Sequence, residues 1–133
     1  LKFNLKEREK NFKLHTKFLK KYKKYFILPK QLTNSRSGWL AYPITITKNA
    51  PFTRTEMQIF LEKKNIQTRV VFTGNILRQP GFKNIKCKKD NKGYPEADKV
   101  MRNGILIACH HGLTKKMINH IHKSIDEFML KYI

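Results

Sequence analysis

Two short stretches of the sequence place polar side chains directly after a segment that is typical of a β-strand. In residues 68–80, a β-branched and aromatic run ends at Gly74 and Asn75, a pair that favours a turn. Residues 105–109 form a second apolar run, which a His-His-Gly turn follows. Strand ends commonly carry binding groups, so we expect the two stretches to line one wall of a cleft. The candidate binding residues are Arg69, Asn75, Arg78, Gln79, His110 and His111.

Neither stretch is a catalytic motif by itself. One region is rich in potential metal ligands, namely Cys109, His110, His111, His120 and His122. Adjacent residues of an extended segment point to opposite sides, and residues two apart on a helix do not share a face, so we expect no metal site. A Cys–His nucleophile is also disfavoured, because Cys109 directly follows a buried strand and no orienting acid is evident nearby. A role for His110 or His111 in substrate contact or proton transfer stays open.

Two amphipathic helices are predicted near the ends of the chain. Apolar positions recur at steps of three and four in residues 7–26 and again after Thr114, the predicted N-cap of the second helix. His15 lies on the first apolar stripe, and we interpret it as a core-edge histidine rather than a ligand. The stripes comprise Phe12, His15, Leu19, Tyr22 and Phe26 in the first helix, and Ile118, Ile121, Ile125, Phe128 and Tyr132 in the second.

A strand and a capped helix are predicted between these two helices. Residues 39–47 alternate in polarity, with Leu40 on the same side as the other large apolar residues, which indicates a half-buried strand. Pro43 suggests an edge position or a bulge, and Trp39 should pack where the preceding loop enters the strand. Thr53 and Glu56 have the spacing of a capping box, so a helix should start at Thr53.

The remaining elements decide the fold class. Four elements follow the capped helix. They are a strand over residues 66–73, a loop over residues 81–95, a helical turn over residues 97–103 and the strand at residues 105–109. The order predicts a two-layer α+β domain, in which helices cover a short antiparallel or mixed sheet.

Length and charge limit the class of protein. A chain of 133 residues fits a single domain, and its start at Leu1 rather than Met leads us to expect a piece of something longer. It has no apolar run long enough for a membrane helix and no signal peptide, and its two cysteines suit reduced thiols in a cytoplasmic protein. With 29 basic and 9 acidic residues the net charge is +20, so an anionic partner such as nucleic acid must be considered. The lysines are spread over every segment rather than grouped in one stripe, which argues against that alternative.

The motifs resemble those of one enzyme family. The segments that carry the resemblance are residues 68–80 with their Gly-Asn-x-x-Arg-Gln-Pro sequence, residues 97–101, residues 109–114 and residues 37–39. They are similar to the C-terminal small domain of the DegT/DnrJ/EryC1/StrS family of pyridoxal-phosphate-dependent sugar aminotransferases and dehydratases. The similarity is greatest to its nucleotide-sugar 3-dehydratase branch, which serves lipopolysaccharide and deoxysugar biosynthesis.

This resemblance implies the C-terminal domain of a fold-type-I enzyme, homodimeric when full-length. Residues 1–28 would connect to a missing N-terminal large domain, and residues 38–133 would form the small domain. Pyridoxal or pyridoxamine phosphate would be held by the large domain, so the fragment should bind no cofactor and contain no catalytic residue. Part of the first helix should be under-buried where the large domain is missing, at Phe12, Leu14, Phe18 and Tyr25.

The implied substrate is a 4-keto-6-deoxy sugar linked to a nucleoside diphosphate. Its pocket needs cations for the phosphates and amide or imidazole groups for the hydroxyls, and the six candidate residues supply those types. A structural alternative stays open for Asn75, which could only permit the turn, and for Gln79, which could only cap the loop. The alternative for the whole chain is a free-standing basic module that binds nucleic acid.

Overall fold

The computed structural model describes residues 1–88, 90–91 and 93–133. In that part of the chain, four α-helices accompany one four-stranded sheet. The helices are α1 (Lys2–Leu19), α2 (Arg54–Lys63), α3 (Pro95–Asn103) and α4 (Lys115–Met129). The strands are β1 (Phe26–Ile27), β2 (Ala41–Ile46), β3 (Arg69–Val70) and β4 (Gly104–Ala108).

The sheet has the strand order β1-β2-β4-β3, and every neighbouring pair is antiparallel. In its central pair, Tyr42 lies opposite Ile107 and Ile44 lies opposite Ile105, and all four side chains are buried. Residues paired across two strands point to the same side of a sheet, so this face carries the core. The α+β prediction is confirmed, and of the two sheet types that it allowed the antiparallel one is present.

Helices α1, α2 and α4 contribute to the same core. Leu19, Met57 and Ile125 are fully buried and belong to one cluster with the sheet residues. The capping box at Thr53 is present, since its hydroxyl accepts from the N–H of Glu56 while the Glu56 carboxylate accepts from the N–H of Thr53. The predicted cap at Thr114 is also present, because its hydroxyl accepts from the N–H of Met117.

The first helix differs from its prediction at both ends. It begins at Lys2 rather than near residue 7, and after Leu19 a single 3-10 turn (Lys20–Tyr22) ends it. Phe26 fits the spacing of the helical stripe, yet it lies in β1 opposite Ile46 and is buried there. Helical spacing alone could not separate the two possibilities, because Phe26 is buried in both.

The strand predicted over residues 66–73 is much shorter than expected. Only Arg69 and Val70 pair with β4, because Thr68 is held instead by the Glu62 carboxylate of α2, at 2.7 Å from its backbone nitrogen. The chain then turns at Phe72, whose φ of +46° is incompatible with a strand.

Pro43 has a strand on one side only, as the prediction of an edge position requires. β2 is an inner strand, but β1 covers only its Thr45 and Ile46, so Pro43 lies beyond the end of β1. Trp39 packs as expected, with its ring stacked on that of Phe12 at 4.2 Å between centroids. The prediction that Leu40 lies on the buried side of the strand is wrong, because Leu40 precedes β2 and is exposed.

The prediction that part of the surface formed by Phe12, Leu14, Phe18 and Tyr25 is under-buried holds for Leu14 and Phe18, but not for the other two residues. Phe12 and Tyr25 are buried in the core. Leu14 is exposed, and Phe18 is half-buried against His122, with stacked rings 3.9 Å apart. The helix is therefore an integral part of this core.

Candidate functional site

The two polar stretches lie at opposite ends of the sheet. β3 runs antiparallel to β4, with Arg69 opposite Leu106 and Val70 opposite Ile105. The residues after β3 therefore lie beside the start of β4, whereas His110 and His111 follow its far end, roughly 15 Å away at the rise of an extended strand. The expectation that both stretches line one cleft is wrong within this chain.

Asp98 organises the stretch after β3. Its carboxylate accepts from Asn75 Nδ2 at 2.7 Å, and it also accepts two hydrogen bonds from the Arg78 guanidinium, at 2.8 and 3.1 Å. We call these three residues the Asp98 cluster. Hydrogen bonds from Arg78 and Asn75 lower the pKa of Asp98 to about 2, and the same contact raises the pKa of Arg78. The cluster joins the loop after β3 to α3.

Asn75 and Gln79 make bonds within the loop itself. Asn75 is buried, and its Oδ1 accepts from the N–H of Leu77 while its Nδ2 is used by Asp98. Both ends of its amide are thus engaged, which supports the structural alternative for this residue. Gln79 donates from Nε2 to the carbonyl of Thr73 at 3.0 Å, and its Oε1 accepts no hydrogen bond from another described residue. The Arg69 side chain is exposed.

A shallow cavity of about 300 Å³ adjoins this loop. Backbone and side-chain atoms of the loop form one wall, and residues preceding and within α3 form the other. The lining residues are Gly74, Asn75, Ile76, Leu77, Cys87, Lys88, Tyr94 and Ala97. Among the described lining residues only Lys88 carries a charge.

At the other end of the sheet, His110 is oriented by its neighbours. Its Nδ1 accepts from the N–H of Gly112 at 3.1 Å, and its carbonyl accepts from the buried side chain of Asn11 at 2.9 Å. Because Nδ1 is an acceptor, the neutral ring carries its proton on Nε2 and can donate from there. His111 is exposed beside it. This end can therefore offer imidazole donors to a hydroxyl or phosphate.

His15 and His122 contact each other, a pair that sequence reasoning did not find. His15 Nε2 lies 3.0 Å from the carbonyl of Ala108, and His15 Nδ1 lies 3.0 Å from His122 Nε2. A carbonyl can only accept, so His15 donates to Ala108 and accepts from His122. Burial lowers the pKa of each histidine to about 4. The prediction that His15 lies in the core is confirmed, but its partner is 107 positions away in sequence and no local pattern marks it.

No group of three or more potential metal ligands comes together among the residues that the structure describes. Cys109 is buried, its thiol faces the carbonyl of Arg8, and burial raises its pKa to about 12. A thiol in that state is a poor nucleophile. In the described part of the chain, no helix has both the length and the apolar character required to cross a bilayer.

Replacing Asn75 by alanine tests whether the amide supports the loop. We expect a loss of about 1–2 kcal/mol in the free energy of unfolding, because the N–H of Leu77 loses its cap and Asp98 loses a buried donor. Amide hydrogen exchange should also become faster at Gly74, Leu77 and Gln79. Asn84→Ala, an exposed site in the same long loop, serves as the control. Unchanged exchange in N75A would show that the loop does not depend on this side chain.

Comparison with known proteins identifies the family. The model of the DegT/DnrJ/EryC1/StrS aminotransferase family matches residues 1–126. A dTDP-4-dehydro-2,6-dideoxy-D-glucose 3-dehydratase from Saccharopolyspora spinosa is 34% identical over 105 residues, which are 79% of this chain and 22% of that protein. The lipopolysaccharide biosynthesis protein RfbH from Salmonella typhimurium is 29% identical over 122 residues, or 92% of this chain and 28% of that protein. The chain belongs to the DegT/DnrJ/EryC1/StrS aminotransferase family, as the resemblance of its motifs predicted.

The fold is shared with solved structures. An E. coli GDP-4-keto-6-deoxy-D-mannose-3-dehydratase, solved with bound hydrated PLP, superposes with a TM-score of 0.75 at 22% identity. The match covers 90% of this chain and 30% of that one. The chain thus spans about a quarter of the length of the two curated relatives, and about a third of the solved enzyme.

Proposed function

We propose that this chain is the C-terminal small domain of a pyridoxal- or pyridoxamine-phosphate-dependent enzyme that acts on a nucleotide-linked 4-keto-6-deoxy sugar. The reaction would be 3-dehydration or amino transfer, in lipopolysaccharide or deoxysugar biosynthesis. The observation that carries the proposal is the family match over residues 1–126, together with relatives that are named as a sugar 3-dehydratase and a lipopolysaccharide biosynthesis protein. The enzyme would be a homodimer whose large domain lies outside these residues.

The described residues do not fit a pyridoxal phosphate site. Such a cofactor needs a group that bonds its aldehyde or replaces that bond, an acid that pairs with the pyridine nitrogen and a cradle for the phosphate. The cavity beside the loop has one lysine and no carboxylate in its lining. The nearby carboxylate of Asp98 is already paired with Arg78. The cofactor and its chemistry would therefore belong to the large domain, outside these residues.

The proposed contribution of this chain is substrate binding. Arg69, Arg78 and the Gln79 amide suit phosphate and hydroxyl groups at one end of the sheet, and His110 and His111 suit them at the other. Because the two ends are roughly 15 Å apart, the two groups would contact separate parts of one extended ligand, or separate ligands across a dimer. Asn75 would act by holding the loop, not by touching substrate.

The test compares this chain with a longer protein that includes the coding sequence upstream of Leu1. We expect pyridoxal phosphate absorbance and turnover of nucleotide-linked 4-keto-6-deoxy sugars from the longer protein only. The isolated chain should show neither, because the groups that would bond the cofactor are expected in the large domain. Stoichiometric cofactor binding by the isolated chain would contradict the proposal, and so would a longer protein that neither binds the cofactor nor turns over these sugars.

A basic module that binds nucleic acid is the second candidate, and one feature of α1 favours it. Although the lysines as a whole are spread over every segment, exposed lysines recur every three or four residues along one side of this helix, at Lys2, Lys6, Lys10, Lys13 and Lys17. A solvated helix surface would look the same. Binding to random duplex DNA with an affinity that falls steeply as salt rises would support this candidate, whereas no binding at low salt would exclude it.

A further inference from the structure

The lysines of α1 form a continuous row on the side of the helix that faces away from the core. Residues on the opposite side, among them Asn11, His15 and Leu19, are buried. We call the five exposed lysines of this side, Lys2, Lys6, Lys10, Lys13 and Lys17, the lysine row. Successive members are three or four positions apart, so each one lies beside another of the same charge. The row is roughly 22 Å long at the rise of an α-helix.

Contacts within the chain relieve little of the repulsion along the row. The two acids of α1 lie at its margins, where Glu7 pairs with Lys10 at 3.2 Å and Glu9 pairs with Arg36 at 2.6 Å. Among the described residues, the other four members of the lysine row form no salt bridge. Neighbouring like charges on a helix disfavour it, and an anionic partner would turn this cost into attraction.

Exposed apolar side chains flank the lysine row along one margin. Phe3 lies three positions before Lys6, and Leu14 lies four positions after Lys10, so helical geometry places both beside the row on the same side. Phe3 is 69% exposed and Leu14 is 39% exposed. Leu1, at the start of the helix, is 93% exposed. A lysine row by itself would suit a solvated surface, but large apolar side chains next to it gain nothing from water.

The apolar margin separates two kinds of anionic partner. A nucleic acid duplex presents phosphates to such a helix, and proteins contact phosphates and bases preferentially through arginine, which the row lacks. A bilayer with anionic lipids presents negative headgroups above an apolar layer, which accepts phenylalanine and leucine side chains. We propose that the lysine row, together with Phe3 and Leu14, binds the surface of a bilayer that contains anionic lipids. This contact goes beyond the proposed function, because it needs neither cofactor nor sugar.

Co-sedimentation of the 133-residue chain with lipid vesicles tests the proposal. We expect binding to equimolar phosphatidylcholine and phosphatidylserine that weakens as the salt concentration rises, and no binding to phosphatidylcholine alone. The variant K6Q/K13Q/K17Q should bind about a hundredfold more weakly, at about fivefold for each lysine near an anionic surface. Lys10 is kept in this variant because it pairs with Glu7.

Two further variants separate the row from the overall charge and from its apolar margin. K63Q/K83Q/K123Q removes three exposed lysines elsewhere and leaves the same net charge as the row variant. It should weaken vesicle binding by less than about threefold, because charges far from the contact are screened. Phe3→Ala should weaken vesicle binding about tenfold and leave binding to random duplex DNA unchanged.

Four results would overturn the proposal. They are no binding to the anionic vesicles, equal losses in the two triple variants, tighter binding to random duplex DNA than to the vesicles, and vesicle binding that is lost in the longer protein. The third result would make nucleic acid the partner, and the fourth would show that α1 is covered by another domain. The proposed function is tested by cofactor binding and turnover, so its failure is distinguishable from failure of the membrane contact.

Discussion

Replacing Phe128 by alanine should lower the free energy of unfolding by about 3–5 kcal/mol, which is the usual cost of removing a buried phenylalanine. Phe128 is 2% exposed, and its ring lies 5.0 to 5.3 Å from those of Phe52, Phe60 and Tyr132. These four rings join α4 to α2 and to the segment before it. Since domains are stable by only about 5–15 kcal/mol, the loss would be a large fraction of the total.

Urea unfolding followed by far-UV circular dichroism measures this loss. The control is Phe3→Ala, because Phe3 is 69% exposed and its removal should change the free energy by no more than about 0.5 kcal/mol. A loss below about 1 kcal/mol in F128A would mean that the four rings do not form one packed cluster. A change in the denaturant slope would instead indicate an altered unfolded state.

Acidification from pH 7 to pH 4 should destabilise the chain through His15 and His122. Each titrates with a pKa of about 4 in the folded chain, against an ordinary value of 6.5. Between these values the unfolded state binds more protons, so the stabilisation is complete above about pH 6.5 and is lost as the pH falls toward 4. For His15 alone, which is fully buried, the loss at pH 4 is about 3 kcal/mol.

The groups around the pair shape this dependence. Repulsion from His15 and from Lys21 adds to burial in lowering the pKa of His122, whereas Asp126 acts in the opposite direction. Asp98 titrates at about pH 2, so its contribution is lost below the window of the histidines. The two effects therefore separate along the pH axis.

Stability measured at intervals between pH 7 and pH 4, together with NMR titration of the imidazoles, tests this prediction. The double variant H15Q/H122Q should flatten the curve over that range, because glutamine does not titrate. His120→Gln is the control, since His120 is exposed on α4. An H15Q/H122Q curve as steep as the parent's, or imidazole pKa values near 6.5 in the parent, would contradict it.

Local signals in the sequence predicted those elements that local contacts decide. The capping box at Thr53 and the N-cap at Thr114 are set by side chains within three positions of each other. The alternation of Tyr42, Ile44 and Ile46 follows directly from the pleat of a strand. The apolar stripe of α4 was likewise readable from its spacing, because one side of that helix is buried.

The rest depends on contacts between distant residues. β3 ends early because the chain turns at Phe72, and the turn leads into the close contact of Gly74 with Met101, which nothing within residues 66–73 encodes. The two polar stretches lie apart because β3 runs antiparallel to β4. The alternation of residues along a strand does not specify whether it pairs in parallel or antiparallel. No local pattern marked Asp98 as the partner of Asn75 and Arg78, which lie 23 and 20 positions before it in sequence. Family resemblance led to the proposed function, whereas the geometry of the loop after β3 required the structure.

The pairing of β2 with β4 has a consequence for how the chain acquires its structure. Tyr42 and Ile107 are neighbours in the sheet, yet α2, β3 and α3 all lie between them in sequence. The central pair thus closes a long loop, and its entropic cost must be met before the two strands stabilise each other. During synthesis on the ribosome, β2 emerges long before its partner. The sheet cannot close until Gly104–Ala108 has left the exit tunnel, and until then residues 41–44 of β2 lie beyond the end of β1 and lack their pairing strand.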